Sequence, residues 1–259
     1  MCAAQTILLP QGIAMEWSDD AIVLGLRCHG ETGVLLELLT RDHGRHLGFV
    51  QGGRSRKTLP LLQPGNSVRA VWRARLDEHL GNFTVEVTEL RSARFINSPL
   101  ALYGLGAMAS LLRCLPERDP HPQLFDTVQA LADHLDDEVT ASALFVEFEI
   151  TMLAELGFGL DLTQCAATGT QEALIYVSPK TGRAVSAEAG APYRDKLLPL
   201  PSFLVYDSGR NRVTAKELAE AFALTGYFLE RWIFEPQGQK PPQERARFVD
   251  LATRQELRE

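Results

Sequence analysis

The chain has 259 residues, a hydrophobic fraction of 45% and a formal net charge of −7. This length fits two or three domains, and the hydrophobic fraction supports a packed core, which excludes a wholly disordered chain. No apolar run reaches the roughly 18 residues of a membrane-spanning helix, so we expect no membrane partner. The four cysteines have no paired spacing, which indicates reduced thiols and a cytoplasmic protein.

Residues 1–15 lack the basic start and apolar core of a signal peptide. A second methionine, Met15, ends this stretch and leads into the first patterned segment. We interpret residues 1–15 as an N-terminal extension, and the sequence leaves open whether translation starts at Met1 or at Met15.

Residues 16–96 are predicted to form a β-rich domain. Short segments that alternate apolar and polar residues are separated by turns rich in glycine, asparagine and proline, as half-buried strands are. The predicted strands are Ala21–Arg27, Val34–Thr40, His46–Gln51, Ser67–Arg75 and Phe83–Leu90. Five such strands favour an OB-fold, a small barrel that binds oligonucleotides.

Basic residues are concentrated in this domain. Between Arg27 and Arg75, nine basic residues stand against three acidic ones, a local excess of +6 in an acidic chain. Such a patch favours nucleic acid at one face and protein partners elsewhere, although a solvated strand face with no partner remains the alternative. The candidate DNA-binding residues are Arg27, Arg41, Arg45, Arg54, Arg56, Lys57, Arg69, Arg73 and Arg75.

Aromatic residues in the strands could also contact bases. Phe49, Trp72 and Phe83 are the candidates for base stacking, but each lies among apolar neighbours, so we favour a core role for all three. Contact between arginine and the phosphate backbone is therefore favoured over base stacking, and we expect weak sequence preference.

Residues 97–259 are predicted to be helical, so the chain as a whole is an α+β protein with a barrel followed by a helical bundle. Residues 159–192 are expected to be irregular, and Phe248–Leu257 to be either a short helix or disordered. The predicted helices are Leu100–Arg113, Gln123–Leu135, Thr140–Leu156, with Gly157 as its cap, and Ala215–Phe234.

Four segments of the barrel domain resemble the RecO family of bacterial recombination mediators: Ala21–Leu24, Gly30–Thr32, Thr40–Gly44 and Gly52–Lys57. The resemblance extends in layout to about Trp232. It implies binding and annealing of single- and double-stranded DNA, with no catalytic residues and no cofactor. It also implies three protein partners: RecR, the C-terminal tail of single-strand-binding protein and, indirectly, the recombinase RecA.

Many members of that family carry a four-cysteine zinc element, which corresponds to about residues 160–193 here. Cys165 is present, but Thr168 stands in place of its pair partner, and no second pair occurs around Ser186 and Ala189. Structural zinc requires four nitrogen or sulfur ligands. We therefore expect a degenerate element without metal and a buried Cys165.

The helical body offers a candidate receptor for an acidic tail that ends in an apolar residue. Such a ligand requires an apolar groove with a cation at its rim. The candidate partner-binding residues are Leu105, Met108, Leu112 and Arg113, with Leu124, Val128 and Leu131 as an opposite wall. The alternative is an ordinary bundle core, which would not require the charge of Arg113.

Two other functions remain open from the sequence. A nuclease or RNA-modifying enzyme with an appended OB domain would need clustered carboxylates to hold metal ions. Asp136, Asp137 and Glu138 are adjacent, so they point apart on a helix. A protein-interaction scaffold would bind no DNA at all.

Overall fold

A computed structural model describes residues 15–205 and 213–254. It contains a closed five-stranded barrel, then helices, with a small three-stranded sheet inserted between them. The predicted α+β fold is confirmed. The expected extension, residues 1–15, lies outside the described residues except for Met15.

The barrel strands follow one another around the closed sheet in the order β1-β2-β3-β5-β4. They are β1 (Met15–His29), β2 (Gly33–Thr40), β3 (Gly44–Val50), β4 (Ser67–Ala74) and β5 (Asn82–Glu89). β1 is longer than predicted because its first half pairs with β4 and its second half with β2. A register shift between Val23 and Gly25 marks the transition, as a β-bulge does in a strongly bent strand.

Alternation along β4 decides which side chains fill the barrel. Val68, Ala70 and Trp72 are buried, whereas Arg69 and Arg73 are exposed, as the sequence predicts. The interior cluster also contains Ala21, Val23, Val34, Leu36, Leu38, Val50, Leu62, Ala74 and Phe83.

The helices agree with the predicted ones to within about two residues at most ends. They are α1 (Ser92–Phe95), α2 (Pro99–Leu112), α3 (Pro122–His134), α4 (Glu138–Glu155), α5 (Ala187–Gly190), α6 (Ala215–Phe228) and α7 (Gln243–Thr253). α6 continues as a π-helix over Leu229–Phe234. α4 is followed by Leu156 and Gly157, and the positive φ of Gly157 suits a C-terminal cap. α7 resolves the choice left open for Phe248 in favour of a helix, and residues 255–257 of that predicted segment lie outside the described residues.

The prediction of irregular structure over 159–192 is wrong in part. A three-stranded sheet forms there in the order β7-β6-β8. Its strands are β6 (Leu174–Val177), β7 (Ala184–Ser186) and β8 (Leu198–Pro199). Strands of two to four residues are too short to show a period of alternation, so the sequence does not predict them.

The helical body encloses the larger of two apolar cores. Phe145 packs on Phe248 and contacts Phe148 and Phe222, so α4, α6 and α7 meet around aromatic rings. Glu149 is fully buried among them and is neutralised by Arg245, with Nε 2.5 Å from its Oε1. A buried carboxylate requires such a partner.

The connector between α2 and α3 closes a gap in the barrel wall. β3 pairs with β5 only at Phe49 and Asn82, so most of that edge of β3 has no strand beside it. The connector covers this edge: Arg118 donates its backbone N–H to Arg45 O at 2.9 Å. Its guanidinium Nη2 also donates to His79 O at 2.8 Å, in the β4–β5 loop. The barrel and helical body are therefore joined through backbone contacts.

Among the helices in the described ranges, none is long and apolar enough to cross a membrane.

Candidate nucleic-acid interface

One row of outward-facing residues crosses four barrel strands and ends on a fifth. Arg73 on β4 pairs with Asn82 on β5, which pairs with Phe49 on β3. Phe49 pairs with Leu35 on β2, and Leu35 pairs with Arg27 on β1. Neighbouring strands lie about 4.8 Å apart, so the row is a continuous track with an arginine at each end. We call it the arginine-ended row.

Phe49 lies at the centre of this row, and its assignment to the core is wrong. It is half-buried on the outer surface and packs over Gly33, where a Cβ would overlap the Phe49 ring. The His29 ring meets it edge-on, with ring centroids 5.8 Å apart. An outward aromatic ring flanked by cations is the arrangement on which single-strand binders stack bases.

The loop after β3 carries the predicted basic run. Arg54 donates through Nη1 to Gly30 O at 3.1 Å and to Glu31 O at 2.9 Å, so it fixes the β1–β2 turn. Arg56 and Lys57 are exposed, and neither forms an ion pair with a residue that the structure describes. Their charged groups are therefore more available to a ligand than that of Arg54.

The β4 arginines differ in how strongly they are neutralised. Arg69 Nη1 lies 3.0 Å from Asp20 Oδ1, and its other cross-strand neighbour is Glu86. Arg73 makes a bidentate pair with Glu16, at 2.8 and 2.9 Å. Arg75 is exposed beyond the end of β4, with no ion pair among the described residues.

Arg41 and Arg45 face the helical body instead. Arg41 makes a bidentate pair with Asp126 of α3, and the hydrogen bonds to that carboxylate raise the pKa of the guanidinium. Arg45 reaches Glu37 at 3.1 Å and Glu117 at 3.4 Å. Both guanidinium groups lie at the junction with the helical body, so neither belongs to the arginine-ended row.

Two of the predicted partner-binding residues, Leu105 and Arg113, lie at an apolar cavity, but its opposite wall differs from the predicted one. An apolar cavity of about 800 Å³ opens between α2, α1 and the barrel. Leu105 and Arg113 line it, together with the exposed Leu102 and Ile96. The other predicted residues do not line this cavity because they are buried in the bundle core. They are Met108, Leu112, Leu124, Val128 and Leu131.

Arg113 has a structural partner that the sequence does not reveal. It caps α2 and forms a fork with Glu37 on β2, with Nη2–Oε2 at 2.7 Å and Nε–Oε2 at 3.0 Å. The Glu37 side chain is 11% exposed, so this pair is partly desolvated. The expectation that only a binding role would require the charge of Arg113 is therefore wrong.

Cys165 is buried as predicted and lies in the small-sheet region. It accepts a hydrogen bond from Ser186 N at 3.3 Å. Burial opposes ionisation of the thiol, but this bond and one from Thr168 lower the pKa of Cys165 to about 6. Asp137 caps α4 by accepting from the Thr140 backbone N–H at 3.5 Å, and it also accepts from the Thr140 hydroxyl at 2.6 Å, so this member of the carboxylate run stabilises a helix start.

Models of known protein families match both halves of the molecule. Residues 15–91 match the family "Recombination protein O N terminal", and residues 97–241 match "Recombination protein O C terminal". The first range covers the barrel, and the second covers α2 to α6 and the small sheet.

Similar proteins named DNA repair protein RecO occur in several bacteria. The one from Methylorubrum extorquens is 58% identical over 245 residues, which are 93% of this chain and 100% of the relative. Those from Methylobacterium nodulans and Sinorhizobium medicae are 58% and 56% identical, over 92% and 91% of this chain and 98% and 94% of the relatives.

Proposed function

This chain belongs to the RecO family of DNA repair proteins, and on that premise we propose that its barrel binds DNA along the arginine-ended row. The loop cations Arg56 and Lys57 extend the site. The chain acts as a recombination mediator, a binding protein without a catalytic step, that holds single- and double-stranded DNA, anneals complementary strands and works with RecR to load RecA. Its site of action is the nucleoid in the cytoplasm.

The arginine-ended row is the observation that supports this proposal. It lies on the outer face of β1, β2 and β3, and the β1–β2 and β4–β5 loops flank it. This is the face through which OB-folds bind oligonucleotides. Its cations would contact phosphates, which carry no sequence information, and Phe49 offers a sequence-tolerant ring to a base.

The apolar cavity supports a second contact, with the C-terminal tail of single-strand-binding protein. An apolar end residue would enter beside Leu102 and Leu105, and the terminal carboxylate would lie toward Arg113 at the rim. Burial of an apolar side chain gives affinity, and a guanidinium pairs well with a carboxylate.

Salt-dependent binding of a fluorescent oligothymidylate tests the DNA proposal. We expect the double variant Arg56→Glu, Lys57→Glu to bind oligonucleotides of any base sequence more weakly than the parent protein does. The slope of log affinity against log salt concentration should also become shallower, by about 0.7 for each single-strand phosphate that the two side chains neutralise in the parent protein. The matched control is Lys180→Glu, Lys240→Glu, which makes the same charge change at two exposed positions away from the barrel. Equal reductions of affinity in both double variants would contradict a site on the barrel, and no binding by the parent protein would favour a scaffold.

A further inference from the structure

A polar pocket of about 310 Å³ lies where the barrel meets the helical body. β1, β2 and β3 form one side of this junction pocket, and the residues at and after the end of α2 form the other. Its charged lining residues are Arg27, Arg45, Arg113, Glu37 and Glu117.

Three arginines against two glutamates leave the junction pocket with an excess of positive charge. Glu37 is shared, since its Oε1 accepts from Arg45 Nη1 at 3.1 Å while its Oε2 accepts from Arg113 Nη2 at 2.7 Å. Arg27 is exposed at the pocket mouth and has no ion pair with any residue in the described ranges. Glu117 is a second partner of Arg45, at 3.4 Å, so the net positive charge of the pocket is that of Arg27.

Arg45 also carries a hydrogen-bond donor that the protein does not use. Its side chain is 11% exposed, and its Nε is buried without a partner among the described residues. Buried polar atoms are nearly always hydrogen-bonded, and an exception requires an explanation. A small shift of the Arg45 side chain would open this donor to an anionic oxygen in the pocket, which would provide the missing acceptor.

The junction pocket is continuous with the arginine-ended row, because Arg27 and Leu35 belong to both. We propose that it holds one phosphate group of a bound DNA strand, with Arg27, Arg45 and Arg113 as donors and Glu37 as the competing anion. This inference rests on the proposed function. It extends the DNA track from the free barrel face to the helical body, which no local sequence pattern indicates.

Binding of the fluorescent oligothymidylate over about a tenfold range of salt tests the pocket directly. We expect Arg113→Gln and Arg27→Gln each to reduce the log–log slope by about 0.7, so the decrease of affinity across that range shrinks about fivefold. Arg94→Gln is the matched control. Arg94 is 42% exposed, as is Arg113, and it also pairs with a carboxylate, Asp136, but it lies away from the pocket.

Glu37→Gln should act in the opposite direction and raise the affinity, because it removes the competing carboxylate while keeping the side-chain shape. If thermal melting shows that this variant is unfolded, Glu117→Gln takes its place, since Glu117 is 45% exposed and lines the same pocket.

The outcomes separate the two proposals. A parent protein that does not bind the oligonucleotide overturns the proposed function and this inference together. A parent that binds with a steep salt slope, while Arg113→Gln behaves like Arg94→Gln and the glutamate variant gains no affinity, overturns the pocket alone. Arg113→Gln decides this because Arg27 also belongs to the arginine-ended row.

Discussion

Arg91 donates through Nε to Asp133 Oδ1 at 2.6 Å, and this pair joins the end of the barrel to α3. The Arg91 side chain is fully buried, and its Nη2 also lies 2.6 Å from Glu89. Asn66 accepts hydrogen bonds from the backbone N–H groups of Arg91 and Ser92, which fixes the chain where it leaves β5. The orientation of the barrel on the bundle therefore depends on a buried charge.

Asp133→Ala should destabilise the protein by about 3 kcal/mol, because loss of one partner leaves a buried guanidinium short of negative charge. Asp250→Ala is the control: it breaks a solvent-exposed pair with Arg254 and should cost less than about 1 kcal/mol. Denaturant unfolding of both variants measures the difference. Equal destabilisation would show that Glu89 alone neutralises Arg91.

Gly44→Ala should destabilise the protein by about 2–4 kcal/mol. A Cβ at Gly44 would overlap the backbone of Asp119 in the connector, and φ at Gly44 is +67°. Gly30→Ala isolates the backbone strain, since φ there is +63° but a Cβ would meet nothing within 4 Å. Its cost should be about 1 kcal/mol. If unfolding experiments give the two variants the same stability, the connector does not press on the barrel turn.

His46 should make stability depend on pH. Its ring lies inside the barrel beside Trp17 and Trp72, and burial lowers its pKa, with Arg118 acting in the same direction. The unfolded chain takes up a proton near pH 6.5, while the folded chain does so only at lower pH. Stability is therefore complete above about pH 6.5 and falls as the pH drops toward the folded pKa.

We expect the advantage of the parent over His46→Gln, in free energy of unfolding, to shrink as the pH falls from about 7.5 to about 5.5. Urea titrations at several pH values provide the measurement. A constant difference across that range would mean that the buried imidazole titrates as it does in the unfolded chain.

A charged substitution in the lining of the apolar cavity should abolish peptide binding. Leu102→Glu should abolish binding of an acidic tail peptide with an apolar end, because the new carboxylate repels the ligand and removes apolar surface. Leu102 is 51% exposed, so the fold should tolerate the change. Leu90→Glu is the control, since Leu90 is 55% exposed and does not line the cavity. Fluorescence anisotropy decides: equal affinity in the two variants removes Leu102 from the peptide site.

Three substitutions in the small sheet should create a zinc site. Thr168 and Ser186 N hydrogen-bond to the Cys165 thiol, and Ser186 Oγ accepts from Ala189 N at 3.5 Å. The triple variant Thr168→Cys, Ser186→Cys, Ala189→Cys places four thiols around one point, so elemental analysis should find about one zinc per chain. Thr168→Cys alone should bind none. A folded triple variant without zinc would show that the loop no longer has tetrahedral geometry.

The alternation of apolar and polar residues predicts most of the barrel strands, but at β3 it predicts the wrong buried face. Leu47 and Phe49 are more apolar than His46 and Gly48, yet His46 and Gly48 face inward. A Cβ at Gly48 would overlap the ring of Phe83, so the interior is filled from another strand. Which face of a strand is buried is thus decided by neighbours that are distant in sequence, and the candidate site at Phe49 could not be found without them.

The spacing of apolar residues in the helices predicts which residues share a buried face, but it does not predict the contacts of that face. It predicts that Leu124, Val128 and Leu131 share one face, and they are all buried. It does not say what that face contacts, which proves to be the bundle core. The ion pair between Arg113 and Glu37 joins residues 76 positions apart, so no local pattern could reveal it.

The connector over the open edge of β3 also sets an order of events during synthesis. The barrel strands leave the ribosome before Glu117, Arg118 and Asp119 do, so the nascent barrel has an unprotected strand edge. Exposed edges invite pairing with other chains. We expect a released chain that ends before residue 117 to be prone to aggregation, and emergence of the α2–α3 segment from the ribosome to end that vulnerable period.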